Sequence, residues 1–179
     1  HRVFRIDLAS GNCDWNTYIF YPRNISIAQN TLYGTGVYAM KTFNISGATP
    51  SEISCPFQGT LYAYARYYGQ TADYKRENYY VHYYRYIYRY TIGSNGCINT
   101  NYSSRSYVGN WYYSYGMDHH PSNEFILYGN DWTNHRVTKV TLNSSKNGTS
   151  SIKNVGRYGR GASKTGNVRM YYAWGLTVD

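Results

Sequence analysis

Asp118-His119-His120 sets a carboxylate beside two imidazoles, and His82 and His135 supply two more. These side chains are the usual ligand types for zinc or copper. Paired histidines directly before Pro121 read more simply as turn residues, so no metal site is assigned. The glutamates Glu52, Glu77 and Glu124 are scattered and form no assignable pair for glycoside hydrolysis. Gly156 and Gly161 have the gap of a phosphate-binding loop, but Ala162-Ser163 stands where Lys-Ser/Thr is required. Neither a Gly-x-Ser-x-Gly elbow nor a His-Glu-x-x-His pair occurs. No catalytic residue and no cofactor is assigned, and the balance leans against an enzyme.

The chemistry that does stand out is that of contact. The chain has 25 tyrosines among 179 residues, and aromatics reach 19%. They concentrate in Tyr79 to Tyr90, which reads as one strand about 40 Å long at 3.3 Å per residue. Period-2 spacing puts Tyr80, His82, Tyr84, Tyr86, Tyr88 and Tyr90 on one face, and Arg85 and Arg89 on the other with Ile87. A tyrosine ring covers apolar surface while its hydroxyl seeks water or a partner. Tyr80, Tyr84, Tyr86, Tyr88, Arg85, Arg89 and Trp111 are therefore the expected contact surface, suited to sugar faces or to a second subunit.

Charge is the second feature. The net charge is +9, and no acidic residue lies between Asp131 and Asp179. Arg157, Arg160 and Lys164 sit in a glycine-rich stretch of that interval and are the expected site for an anionic partner. No RRM, KH or zinc-finger signature occurs, so nucleic acid is not the expected partner.

Three partial resemblances bear on function. Arg2-Val3-Phe4-Arg5-Ile6-Asp7 resembles the opening of cholera- and pertussis-type ADP-ribosyltransferases, where an arginine matching Arg5 holds NAD. That family's Ser-Thr-Ser strand and Glu-x-Glu pair have no counterpart here. In size, basic charge and Tyr/Trp content the chain is similar to actinoporin pore-formers, but His1 to Thr17 lacks their long amphipathic helix. His1 resembles the copper-binding terminal histidine of lytic polysaccharide monooxygenases, with no further pattern of that family.

The chain starts at His1 and carries Asn-x-Ser/Thr sequons at Asn24, Asn44, Asn101, Asn143 and Asn147. An exported, extracellular protein is the simplest reading. Cys13, Cys55 and Cys97 allow one disulfide and one cysteine left over. The left-over thiol is either buried or paired between subunits. Both cysteine intervals are 42 residues, but the segments share little beyond the cysteine, so no repeat is assigned. No run of 18 apolar residues occurs, so no transmembrane helix is expected.

Alternation at period 2 dominates the elements that must position these residues. Val168, Met170, Tyr172, Trp174, Leu176 and Val178 share one face of a C-terminal strand. Val3 to Leu8 groups Phe4, Ile6 and Leu8. Further strands are expected at 17–21, 36–45, 60–68, 107–115, 124–128 and 136–142. Turns fall at Gly93-Ser94-Asn95-Gly96, Tyr128-Gly129-Asn130-Asp131 and Lys146-Asn147-Gly148. Thr49-Pro50-Ser51-Glu52 has the caps of one short helix. About nine strands without alternating helices predict a single all-β domain, an antiparallel β-sandwich or barrel-like jelly roll.

The expected function is an exported, non-enzymatic structural or adhesive protein, self-associating into a filament, coat or matrix. His1 to Leu8 is the candidate donor strand. A lectin-like glycan-binding module is the first alternative. A secreted membrane-active or ADP-ribosylating toxin component is the second.

Overall fold

A computed structural model describes residues 2–19, 23–36, 40–56, 69–83, 85–101, 106–110, 114–131, 133–155, 157–158, 169–170 and 176. Strands β1 (Arg2–Ile6) and β2 (Cys13–Tyr18) pair antiparallel. Three four-stranded antiparallel sheets follow. The first holds β3 (Asn24–Ala28), β4 (Thr31–Thr35), β5 (Met40–Asn44) and β6 (Ser51–Ile53). The second holds β7 (Gln70–Ala72), β8 (Asn78–Tyr83), β9 (Tyr86–Thr91) and β10 (Ser106–Asn110). The third holds β11 (Met117–His119), β12 (Ile126–Asp131), β13 (Arg136–Leu142) and β14 (Thr149–Val155). Last comes a short parallel pair, β15 (Arg157–Tyr158) and β16 (Arg169–Met170).

The all-β expectation holds, and no helix occurs among the described residues. The sheets pack face to face, as sandwich layers do. Within each four-stranded sheet the strands follow one another up and down. The first strands β3, β7 and β11 lie side by side across the three sheets. Successive four-stranded meanders with adjoining first strands are built like the blades of a propeller.

Two sequence expectations are corrected here. The unit does repeat, but not at the cysteine interval. First strands begin at Asn24, Gln70 and Met117, 46 residues apart and then 47. The helix expected from Thr49 is a strand instead, with Glu52 opposite Phe43 and Ser51 opposite Asn44. Pro56 would interrupt a helix within its second turn. Lys41 Nζ also grips Glu52 Oε2 across the ladder at 2.6 Å.

Three apolar clusters hold the layers together. Val3, Trp15 and Ile19 pack on Leu32 and Phe43, which joins β1–β2 to the first sheet. Ala28 and Tyr33 of the first sheet meet Tyr79, Val81 and Tyr90 of the second. Tyr80, Ile87 and Val108 on the opposite face of the second sheet meet Leu127, Val140 and Leu142 of the third. The middle sheet is thus covered on both sides, which explains why β8 is buried along nearly its whole length. Gly34 lets the layers close at the first contact, since a Cβ there would force the Ile19 side chain to shift. Cys55 and Cys97 form a disulfide with Cα atoms 5.5 Å apart, tying the exit of β6 to the loop after β9. Cys13 is the left-over thiol and is exposed.

Candidate contact surfaces and a cleft at the first strands

The tyrosine run is a hairpin and not one strand. Tyr79 opposes Tyr90 and Tyr83 opposes Tyr86, so the chain reverses between Tyr83 and Tyr86. Pairing across a two-residue connection places odd β8 positions beside even β9 positions. The expected faces are therefore wrong beyond Tyr83. Tyr79 and Val81 share a face with Tyr88 and Tyr90, against the first sheet. Tyr80 and His82 share the other with Ile87 and Arg89.

The expected contact residues consequently separate. Tyr80 is fully buried and belongs to the core, which corrects its assignment to a contact surface. Burial raises its phenol well above the usual range. Tyr86 is 44% exposed and Tyr107 of β10 is 48% exposed. Their rings meet edge to face with centroids 5.8 Å apart, and each also meets the Tyr88 ring. Tyr88 is half-buried and roots this patch on the core. Sequence reasoning missed Tyr107, which is brought in by its register opposite Tyr88. Arg85 is exposed, whereas Arg89 is half-buried and bonded to Ser145 O and Ser106 Oγ. Tyr84 and Trp111 lie outside the described residues.

Of the expected anion site, Arg157 falls in β15, while Arg160 and Lys164 lie outside the described residues. The sequon residues Asn44, Asn101 and Asn147 are exposed, and Asn24 and Asn143 are half-buried. Asn143 Nδ2 donates to Asn147 Oδ1 at 2.9 Å within the β13–β14 turn.

Phe4, Ile6 and Leu8 do share a side, but it is the solvent side, at 56%, 57% and 98% exposure. Val3 is the β1 residue that enters the core. Among the described residues β1 pairs with β2 alone.

A cleft of about 520 Å³ opens along the three first strands. Ile25, Ile27, Tyr74, Asp118, His119 and Pro121 are among its walls. First strands of neighbouring sheets share no backbone ladder, and side chains bridge them instead. Ser26 Oγ accepts the Ala72 N–H at 2.8 Å and lies 3.4 Å from Thr71 Oγ1. Thr71 Oγ1 in turn donates to Asp118 Oδ1 at 3.2 Å. Ser26, Thr71 and Asp118 thus occupy matching positions in β3, β7 and β11.

His119 is the buried titratable group of this cleft, with its ring stacked on Tyr80 and tilted against Tyr74. Its Nδ1 faces the His120 carbonyl at 2.8 Å, so that nitrogen carries the proton. Nε2 approaches the Glu124 carbonyl without reaching hydrogen-bond geometry and is left without a partner. Burial lowers the imidazole pKa, and the two carbonyls oppose that only in part. The unfolded chain, with His119 titrating near the ordinary 6.5, therefore takes up the proton first. Stability contributed by neutral His119 is complete above that pH and is lost as the pH falls below it. His119→Phe is expected to flatten the fall in melting temperature between about pH 7 and 5. An unchanged slope in this variant would place the titration elsewhere.

The chemistry available is hydrogen bonding and ring contact. Among the described residues no three of His, Cys, Asp and Glu converge as metal ligands. Ser122 Oγ lies 3.4 Å from His120 Nδ1, but that nitrogen also accepts the Ser122 N–H, as in a local turn. No helix among the described residues is long and apolar enough to cross a membrane.

No protein-family model matches the chain. No curated protein is similar to it in sequence. In structure it is similar to hydrazine synthase of Kuenenia stuttgartiensis, with a TM-score of 0.56 at 10% identity over 87% of this chain. A weaker likeness is to apo AztD from Citrobacter koseri, with a TM-score of 0.46 at 11% identity over 74% of this chain. The chain spans 43% and 34% of those two proteins. At such identities the likeness to hydrazine synthase concerns the all-β fold and nothing further.

Proposed function

We propose that the protein is an exported, non-enzymatic β-protein that acts by surface contact and associates with copies of itself through β1. The exposed apolar side chains there carry the reading: Phe4 and Ile6 of β1 and Leu8 just after it face solvent, and among the described residues β1 pairs with β2 alone. A strand with a free edge adds to a neighbouring sheet through main-chain hydrogen bonds, with its side chains as specificity. The Cys55–Cys97 disulfide suits an oxidising compartment. Light scattering across concentrations tests it. The wild type is expected to form oligomers that Phe4→Glu with Ile6→Glu reduces to monomers without lowering the melting temperature. A wild type that stays monomeric at about 100 µM, weak for a specific contact, would defeat the reading.

The Tyr86–Tyr88–Tyr107 patch favours a second reading, a glycan-binding surface. Exposed rings already braced against one another lose little freedom on stacking against a sugar face. Glycan-array binding by the monomer, abolished in Tyr86→Ala with Tyr107→Ala, would select it over self-association.

A further inference from the structure

We infer that a second cleft, separate from β1 and from the tyrosine patch, is a binding site for a tetrahedral oxyanion, a sulfate or phosphate group. It has a volume of about 500 Å³ and is lined by loop residues from all three four-stranded sheets. Lys75, Arg76 and Glu77 come from the β7–β8 turn, Arg89 from the end of β9, and Lys146 from the β13–β14 turn. Four cationic side chains thus converge at one end of the sheets.

Ion pairs meet only part of their charge, and the buried Asp73 carboxylate of the β7–β8 turn is held by the Glu77 N–H and Asn78 Nδ2. Lys75 and Lys146 share one carboxylate, Glu124 Oε2, at 3.0 and 2.8 Å. Lys146 also reaches Glu77 at 3.7 Å. Those two glutamates offset the two lysines. The two arginines are held by neutral oxygens. Arg76 donates to Thr31 Oγ1 at 3.1 Å and to Ser94 O at 3.0 Å. Arg89 donates to Ser145 O at 2.9 Å and to Ser106 Oγ at 3.3 Å. Among the described residues neither arginine makes an ion pair. Arg89 Nε is buried and has no acceptor. Two guanidinium groups, fixed in place by neutral oxygens and outside any ion pair among the described residues, are the arrangement that recognises an oxyanion.

Arg76 also takes a φ of 58°, in the left-handed region that a non-glycine residue adopts at a cost. Gln29, His135 and Lys146 take the same conformation in their own turns. The cleft exceeds what a bare ion fills and falls in the range of small-molecule sites. It therefore has room for the anion on a sugar-sized body as well as for the free ion.

Calorimetric titration of the whole chain with inorganic sulfate, inorganic phosphate, glucose 6-sulfate and glucose 6-phosphate tests the inference. Binding is expected to weaken about tenfold in Arg76→Gln and in Arg89→Gln, the usual loss for a hydrogen bond to a charged group. It is expected to tighten severalfold in Glu77→Gln, since one opposing charge leaves the rim. A tightening cannot arise from a folding defect, so this variant guards the result against misfolded arginine mutants. Esters binding more tightly than the inorganic ions identify an ester as the ligand, and equal affinity identifies the free ion. Absence of binding to all four probes at about 10 mM, beyond the weakest specific affinities, overturns the site. So does binding that none of the three substitutions changes. Neither outcome depends on whether β1 mediates assembly.

Discussion

Tyr79→Ala is expected to destabilise the fold by about 3–5 kcal/mol, whereas Tyr79→Phe is expected to leave it unchanged or slightly more stable. Tyr79 is fully buried between the first two sheets. Its ring lies 5.3 Å from that of Tyr33, tilted by 54°. Removing it would leave a cavity among Ala28, Ala72, Val81 and Ile98, residues anchored in separate strands that cannot collapse freely. The hydroxyl contributes nothing comparable, since it is buried with no partner. Burial also holds the phenol neutral, far above its ordinary pKa of 10.0. Tyr33 provides the contrast, because its hydroxyl donates to Gly96 O at 3.1 Å. Tyr33→Phe is expected to cost about 1 kcal/mol. Urea denaturation of the three variants checks the order, and a Tyr79→Phe loss as large as that of Tyr33→Phe would refute it.

Asn130→Ala is expected to be as damaging, at about 3–5 kcal/mol, although it removes few atoms. The residue is fully buried in β12. Its Oδ1 accepts the Tyr115 and Gly116 N–H groups, both at 2.8 Å, and Ser114 Oγ at 3.2 Å. One oxygen therefore satisfies two backbone donors of the segment leading into β11, while the Ser114 hydroxyl also reaches Gly116 O at 2.7 Å. Without it the Tyr115 and Gly116 N–H groups lose this acceptor, at about 1–3 kcal/mol each where water does not enter. Denaturation showing a loss below about 1 kcal/mol would mean that water takes over the role.

The sequence expectation had set Tyr128-Gly129-Asn130-Asp131 as a turn, on its polar and glycine content. All four residues lie in β12. Glycine and asparagine mark turns because of their backbone freedom and local hydrogen bonding, yet Asn130 uses its amide to hold another segment. The same bias hid the repeat. Leu32-Tyr33-Gly34 in β4 recurs as Leu127-Tyr128-Gly129 in β12, at matching positions of the first and third sheets. Measuring the period from cysteines missed this, because the disulfide joins neighbouring units and does not mark equivalent places.

The contact residues show where local pattern stops being informative. Alternation in the tyrosine run identified strand correctly, and β13 falls at the expected 136–142. It could not tell one strand from a hairpin, since no glycine or asparagine stands between Tyr83 and Tyr86 to announce a reversal. Once the chain turns there, Tyr80 goes to the core and Tyr86 to the surface. Alternation likewise groups Phe4, Ile6 and Leu8, but it does not say which side is covered: they face solvent and Val3 enters the core.

What the sequence determined by itself is the kind of structure. Period-2 patterning, abundant β-formers and the lack of helical spacing already require an all-β chain, because strand geometry is local and imposes its period residue by residue. Three cysteines already required one to be left over. Tertiary structure decided the rest: which tyrosines are buried, which cysteines pair, and that cations from two turns and strand β9 meet in one cleft. Those outcomes depend on which sheets stack against which faces. Stacking is settled by contacts between residues about 13 to 50 positions apart, and no local period in the chain encodes them.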